Sequence, residues 1–280
     1  MNPNAGSDGD DPPEVELRAA LPAVSICNLT EGTDLDGLFT GEDVVAIGAA
    51  GGDGTLSAVA RIAADLRLPF VVVPAGTLNH LARDLGIDSV EDAVHAIQAG
   101  TALCMDLGVA NDRTFVNTLT LGGYASVVIA RERLEGRAGK WPALAVALVR
   151  ELPRMEPLML EVDGVTMRIW LAWVGNCRYG PPGLAPLCRE DLADGLLDVR
   201  IVSGAHRFSR TRFVLSVLTG TLSSSRVYEE RLVESLDIRS LNGALEAATD
   251  GETFVAPAHL RITKRRSALT VAAPPEPKAG

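Results

Sequence analysis

A glycine-rich segment with a single carboxylate lies between two apolar stretches early in the chain. It reads Gly51-Gly52-Asp53-Gly54-Thr55, and apolar residues at helical spacing follow it. Glycines let the backbone approach a phosphate closely, and a helix that begins there adds a partial positive charge. Asp53 repels phosphate unless a cation lies between them or a proton must be removed, and phosphoryl transfer from a magnesium nucleotide meets both conditions. The segment predicts a phosphoryl-transfer site, and a plain strand-to-helix turn with Asp53 as its N-cap is the alternative.

A second glycine turn follows the next apolar run. Pro69–Val73 is rich in β-branched residues and predicts a strand, and Pro74–Thr77 follows it as a turn at the start of the segment PAGTLN (residues 74–79). In open α/β sheets, ligands bind outside the carboxyl ends of the strands. Two adjacent glycine turns at that end predict one shared crevice, which favours a ligand site over two unrelated loops.

The segments that must position these turns alternate between strand and helix. Strand, turn and helix in alternation predict a parallel sheet with helices on its faces. The predicted strands are Val24–Asn28, Asp43–Ile47 and Pro69–Val73, and the predicted helices are Val15–Leu21, a segment starting near Leu56, Leu78–Leu85 and Asp92–Ala99.

The predicted secondary structure changes after about Leu103, where the alternation of strand and helix ends. Strand-like runs separated by Gly, Pro and Asp turns predict a mainly antiparallel second domain, interrupted by helices near Ala143–Leu152 and Phe208–Leu222. The predicted fold class is therefore α/β: an N-terminal doubly wound parallel-sheet domain followed by a mainly antiparallel β-rich second domain. We expect the first domain to span 1–103, with the tail 266–280 returning to it, and the second domain to span 104–265.

Composition narrows the class of partner. The formal net charge is −10 and the pI is near 4.9, which argues against nucleic acid, whose phosphates need clustered cations. No apolar run approaches a membrane span, and we expect a cytosolic protein whose four cysteines are reduced and mostly buried. Cations nevertheless gather in 131–150 and 264–266, and a local patch of this kind can contact an anionic surface.

Five motifs in order resemble the diacylglycerol kinase catalytic family, which also includes sphingosine and ceramide kinases. NAD kinases share GGDGT, so the ordered set is more specific than that motif alone. The motifs are Asn2–Gly6 (NPNAG), GGDGT with PAGTLNHLARDLGI about twenty residues later, 176–183 (NCRYGPPG), 193–198 (ADGLLD) and 250–252 (DGE).

The resemblance implies that the first domain is the nucleotide-binding domain, that the second is the lipid-substrate domain, and that the active site lies in the cleft between them. It also implies roles for individual residues. Glu252 would be the general base for a lipid hydroxyl, with Asp53 as the second catalytic residue. ATP would be the phosphoryl donor, and Mg²⁺ would be held by Asp191, Asp194 and the carbonyl of Leu196, which are hard oxygen ligands of the kind that Mg²⁺ prefers. The implied nucleotide contacts are Asn2, Pro3, Asn4, Ala5, Gly6, Thr30, Gly51, Gly52, Asp53, Gly54, Thr55, Leu56 and Thr77.

Two features depart from the family pattern. His80 stands where many members carry an aspartate, and we interpret it as a mark of a subfamily. The Asn2–Gly6 motif normally follows a buried strand, whereas only Met1 precedes it here. We therefore expect the natural gene to begin roughly 5–15 codons upstream, which is enough for one strand.

Two other functions remain open at this stage. An NAD kinase would use a soluble dinucleotide as acceptor, and a non-catalytic relative would bind nucleotide or lipid without turnover. For the main hypothesis we expect a lipid alcohol as partner, a transient contact with the inner face of the membrane, and no nucleic acid. A homodimer is a further option that no motif decides.

Overall fold

The computed structural model describes residues 13–29, 33, 35–39, 44–76, 79–122, 156–181 and 188–275. The chain forms two compact units. The first comprises Met1–Leu107, Cys188–Asp194 and Arg265–Gly280, and the second comprises Gly108–Leu187 and Gly195–Lys264.

The first unit contains a parallel sheet with helices. Strands β1 (Ile47–Gly51) and β2 (Phe70–Pro74) are parallel, with Gly51 opposite Pro74, and α3 (Asp53–Leu66) connects them. Leu56, Val59 and Ala60 of α3 are buried, which confirms the helical spacing. The remaining helices of this unit are α1 (Pro13–Ala20), α2 (Leu35–Leu38), α4 (His80–Asp84) and α5 (Val90–Ala99).

Two predicted strand positions in this unit were wrong. Val24–Asn28 forms no strand, and its residues are exposed or half-buried. The strand predicted at Asp43–Ile47 begins at Ile47, and Val45 is 82% exposed. Pairing with β2 selects the small residues after Ile47, because tertiary packing overrides the β-propensity of the valines.

The second unit is antiparallel. The strands that the structure describes with residues in this unit are β3 (Ala102–Ala110), β4 (Arg113–Phe115), β5 (Thr118–Gly122), β6 (Leu158–Val162), β7 (Val165–Asn176), β8 (Tyr179–Gly180), β10 (Leu197–Ser203), β11 (Tyr228–Val233), β12 (Leu236–Ser240), β13 (Leu245–Thr249), β14 (Glu252–Ala256) and β15 (His259–Ala272), and α6 (Ser209–Leu218) is an α-helix among its described residues. Strand β7 pairs with β5, β6 and β10, and β13 pairs with β5 and β14, in every case antiparallel.

Some strands contribute residues to both units. The first part of β15 pairs antiparallel with β12, and its last part pairs parallel with β2 through Val271 and Phe70. The short strand β9 (Cys188–Arg189) belongs to the first unit. A parallel α/β unit and a mainly antiparallel unit confirm the predicted fold class.

Two further expectations concern cysteines and membranes. None of the four cysteines forms a disulfide, but the expectation that most are buried was wrong, since only Cys177 is buried. Among the helices that the structure describes, none has both the length and the apolar character needed to cross a bilayer. The predicted helix at 143–152 and the basic segment 131–150 lie outside the described residues.

Candidate active site

The two glycine turns of the first unit touch through their backbones. They follow β1 and β2 at the same end of a parallel pair. A Cβ atom built on Gly76 would lie 2.5 Å from the Cα of Gly52 and 3.1 Å from its backbone nitrogen. No side chain fits in that gap, so position 76 must be glycine for the turns to meet. The two turns that the sequence predicts to share a crevice are therefore adjacent, and backbone atoms line the contact between them.

The first turn leads directly into α3. Gly52 is the N-cap residue in extended conformation, and no side chain caps the first turn of the helix. Asp53 is the first helical residue, and its Oδ1 accepts the backbone N–H of His80 at 2.9 Å. The N-cap interpretation of Asp53 was therefore wrong. The start of α3 keeps its partial positive charge available to an anion.

The other predicted residues of this turn shape the backbone. Thr55 packs against Gly51, whose added Cβ would come within 2.9 Å of the Thr55 Cβ. Leu56 is 1% exposed, and its N–H donates to the Gly52 carbonyl at 3.0 Å. Leu56 thus anchors the turn in the core.

Asn79 closes the second turn. It has left-handed backbone geometry (φ 49°), and its Oδ1 accepts the N–H of Gly76 at 2.9 Å. Asparagine tolerates this conformation because its short polar side chain bonds locally. Asn79 is also the N-cap residue of α4, so one residue holds the glycine in place and starts the next helix.

His80 is half-buried next to Asp53. Burial lowers the pKa of its imidazole below the ordinary value of 6.5, although the carboxylates of Asp53 and Asp84 act in the opposite direction. The net lowering keeps the ring neutral at pH 7, so no positive charge develops beside Asp53.

A buried ion pair joins α4 to the segment Cys188–Asp194. Asp84 Oδ2 accepts Arg189 Nε–H at 2.7 Å, and Asp84 Oδ1 accepts the Arg189 backbone N–H at 3.0 Å. Their side chains are 1% and 0% exposed. Charges buried this deeply need a partner, so the pair fixes this segment on the helix that follows the second glycine turn.

The segment Cys188–Asp194, named here the acidic segment, contains carboxylates that differ in their exposure to solvent. Asp194 is half-buried, and one of its carboxylate oxygens lies within 4.8 Å of a carboxylate oxygen of the buried Asp106. Asp106 Oδ1 also accepts the Ser267 N–H at 2.7 Å. Asp191 is exposed, and its Oδ1 accepts the Ala193 N–H at 2.7 Å. Leu196 belongs to the second unit, where its carbonyl accepts the Cys177 N–H.

These carboxylates fit a hard cation. Two carboxylates at this separation in a partly buried setting repel each other unless a proton or a cation lies between them. Oxygen ligands of this kind suit Mg²⁺. Asp106 and Asp194 are therefore candidate donors for a cation, and the sequence prediction did not include Asp106, because the residues around it carry no acidic motif.

The DGE motif of the second unit forms a hairpin turn between β13 and β14. Asp250 has φ 50° and Gly251 has φ 89°. The Asp250 carboxylate accepts the backbone N–H groups of Val116, Asn117 and Thr118, each at 2.8 Å. Asp250 is therefore structural, and it holds Glu252 at the exposed start of β14.

Known proteins share this sequence and fold. The family model described as "Diacylglycerol kinase catalytic domain" matches residues 1–110. A protein of Pseudomonas aeruginosa named "Probable lipid kinase YegS-like" is 32% identical over 231 residues, which cover 76% of this chain and 74% of that protein. The chain belongs to the diacylglycerol kinase family.

Two further likenesses accompany the family membership. A diacylglycerol kinase of Mycobacterium tuberculosis is 29% identical over 195 residues, and the match covers 64% of this chain but only 61% of that kinase. The crystal structure of a diacylglycerol kinase from Bacillus anthracis superposes with a TM-score of 0.66 at 21% identity, covering 98% of this chain and 95% of the other. That likeness supports the fold.

The structure describes some of the predicted site residues and not others. Asn2–Gly6, Thr30 and Thr77 lie outside the described residues, and Gly51–Leu56 lie together in the first unit. Asp53 and Glu252 belong to different units. Their predicted roles in catalysis therefore remain predictions, as does the cleft between domains. Asn79, Asp84 and Arg189 were not among the predicted site residues, although Asn79 and Asp84 lie in the PAGTLNHLARD motif.

Proposed function

We propose that this chain is an ATP-dependent lipid kinase that phosphorylates the hydroxyl of a lipid alcohol such as diacylglycerol. The observation that carries the proposal is the backbone contact between Gly52 and Gly76, next to an uncapped start of α3. Backbone amides and a helix N-terminus bind phosphate groups well. Membership of the diacylglycerol kinase family supports a lipid as acceptor.

Each of the proposed site residues has a separate role in phosphoryl transfer. In the proposed reaction, the acceptor oxygen forms a bond to the γ-phosphorus of ATP as the bond to the β–γ bridging oxygen breaks and ADP leaves. Glu252 takes the hydroxyl proton, since a positioned carboxylate suffices for a general base. The glycine turns and Thr55 hold the phosphates, and Asp53 lies at the start of α3.

Mg²⁺ is the proposed metal. Asp106 and Asp194 would hold it, with Asp191 and the Leu196 carbonyl as the candidates drawn from the family motif. A bound Mg²⁺ supplies positive charge and fixed geometry to the acidic segment. Because the acceptor is a lipid, we also propose that the protein works in the cytoplasm at the inner face of the membrane.

The deciding experiment is transfer of labelled γ-phosphate from ATP to diacylglycerol in mixed micelles, with NAD as a parallel acceptor. We expect labelled phosphatidic acid and no labelled NADP. The matched control is Asp53→Asn, which keeps the Oδ1 acceptor for the His80 N–H and removes the charge. Labelled NADP alone, or no product with tight nucleotide binding, would replace the proposal with one of the alternatives.

A further inference from the structure

One stretch of the second unit is positively charged, although the protein as a whole is acidic. Between Asp198 and Glu229 the chain carries no carboxylate, five arginines and His206, whereas the whole chain has a net charge of −10. One of the five, Arg200, is buried and paired with Asp198, so the surface charge comes from the other four. This stretch contains α6 and the turn before it. Concentrated positive charge on an acidic protein marks a surface for an anionic partner.

The orientation of α6 is determined by its buried face. Phe213 is 2% exposed, and the buried Ser209 hydroxyl accepts the indole N–H of the buried Trp170 at 3.0 Å. The opposite face therefore points to solvent. That face carries Phe208, Thr211, Arg212 and Leu215, all exposed and spaced three or four residues apart.

Phe208 is held in an unfavourable position. Its backbone has φ 60°, its side chain is 67% exposed, and it is the N-cap residue of α6 without a capping side chain. Left-handed geometry is costly for a bulky side chain, and N-caps favour Asn, Asp, Ser and Thr. The local structure thus presents a large apolar ring to solvent, and Leu215 adds a second apolar group that is 55% exposed.

Three arginines stack on aromatic rings at α6 or next to it. The guanidinium of Arg207 lies 5.1 Å from the Phe208 ring centre. Those of Arg210 and Arg168 lie 4.4 Å and 5.8 Å from the ring of Trp170, whose indole bonds to Ser209 on the buried side of the helix. Stacking on aromatic rings orders the arginine heads.

We infer that the surface formed by Arg168, Arg207, Phe208, Arg212 and Leu215, named here the α6 surface, docks on a bilayer that contains anionic phospholipid. Exposed aromatic and aliphatic side chains enter the boundary between headgroups and acyl chains, while arginines pair with lipid phosphates. The net charge of −10 argues against a nucleic acid as the partner of this surface. The inference rests on the proposed function, since it names the surface that brings a lipid kinase to its acceptor.

The test is co-sedimentation of the full chain with phosphatidylcholine vesicles, with or without phosphatidylglycerol. We expect binding to the mixed vesicles that weakens with salt. The double variant Arg207→Glu with Arg212→Glu should lower the partition coefficient at least about tenfold, because each cation near an anionic surface contributes substantially. Arg239→Glu with Arg261→Glu makes the same charge change on exposed strand positions of this unit and should bind like the wild type.

A second variant separates docking from folding. Phe208→Asn with Leu215→Gln removes both apolar groups, and asparagine is favoured both at an N-cap and at positive φ. We expect a melting temperature no lower than that of the wild type together with a clear loss of vesicle binding. Wild-type vesicle binding in both double variants would overturn the inference, as would equal binding to the two kinds of vesicle or displacement by single-stranded RNA.

Activity distinguishes this inference from the proposed function. A short-chain diacylglycerol dissolved in detergent should be phosphorylated equally by the wild type and the α6 variants, whereas vesicle-embedded diacylglycerol should be phosphorylated more slowly by the variants. If the wild type phosphorylates no lipid but binds anionic vesicles through the α6 surface, the proposed function fails and the surface stands. If it phosphorylates lipid and the variants equal it on vesicles, the α6 inference fails.

Discussion

Asp84 and Arg189 form a two-point contact, in which the carboxylate accepts both the backbone N–H and the side-chain Nε–H of one arginine. The residues are 105 positions apart in the chain, and both side chains are buried. Helix α4, which follows the second glycine turn, is thereby attached to the segment that contains Asp191 and Asp194. Because the Asp84–Arg189 pair is buried, we expect it to contribute strongly to the free energy of unfolding.

Breaking this pair should destabilise the protein strongly. Asp84→Asn removes the carboxylate charge that the buried Arg189 guanidinium contacts, and loss of one partner of a buried pair typically costs about 3–5 kcal/mol. Denaturant unfolding measures the change in the free energy of unfolding. The matched control is Glu14→Gln, which breaks the exposed Glu14–Arg18 pair and should have a far smaller effect, because solvent screens exposed ion pairs. Equal effects of the two substitutions would contradict the structural role, and Asp84→Leu with Arg189→Met should recover much of the loss.

Gly76→Ala should impair nucleotide binding. Its Cβ would lie 2.5 Å from the Gly52 Cα, so the two turns must separate. We expect the KM for ATP to rise at least about tenfold, because displaced phosphate-binding groups lose much of their effect. Gly48→Ala is the control in the adjacent strand, since its nearest neighbour would be 3.4 Å away. Equal KM values for the two variants would show that the contact does not position a ligand.

Glu252 and Asp250 should differ in the kind of damage that their removal causes. If Glu252 is the general base, as proposed, Glu252→Gln should lower kcat by about 10²–10⁴, and stability should not change because the residue is exposed. Asp250→Ala should lower stability as well, because three backbone N–H groups lose their acceptor and each unsatisfied group costs about 1–3 kcal/mol. Steady-state kinetics and thermal unfolding of both variants distinguish the roles. A Glu252→Gln variant with wild-type kcat excludes it as the base.

Removing either carboxylate of the acidic pair should abolish the stabilisation by Mg²⁺. A ligand that binds only the folded state raises stability by mass action, by about 2.7 kcal/mol at a hundredfold excess over Kd. Asp106→Asn and Asp194→Asn should therefore lose the Mg²⁺-dependent rise in melting temperature, and exposed Glu190→Gln should keep it. Asp191→Asn tests the ligand inferred from the family motif. An intact Mg²⁺ response in both pair variants would mean that the cation binds elsewhere.

The half-buried His80 should make the free energy of unfolding fall at mildly acidic pH. Burial lowers its pKa below 6.5 in the folded chain, so the unfolded chain takes up a proton at a higher pH than the folded chain does. Between the folded pKa and about 6.5 the unfolded state binds more protons, and the free energy of unfolding decreases as pH falls. Relative to the wild type, His80→Gln should lose less stability on acidification. His95→Gln, at an exposed position of α5, should retain the wild-type pH dependence in the same unfolding measurements.

The local pattern of the sequence determined much of this protein. Glycine turns after apolar runs predicted the strand-turn-helix units, and the ordered motifs indicated the family before any coordinates were considered. Local signals suffice for such features because a turn or a helix start depends on a few neighbouring residues. The start of α5 shows this, since Ser89 and Asp92 form a reciprocal capping box. Asp250-Gly251 shows the same for a hairpin turn.

Tertiary structure alone decided which distant groups meet. The contact of Gly76 with Gly52, the Asp84–Arg189 pair and the approach of Asp106 to Asp194 join residues that no short-range periodicity connects. The start of β1 at Ile47 likewise depends on pairing with β2. The sequence pattern indicates the secondary-structure propensity of a segment and which of its faces is apolar. Burial of a charge or closure of a gap depends instead on packing between segments far apart in sequence.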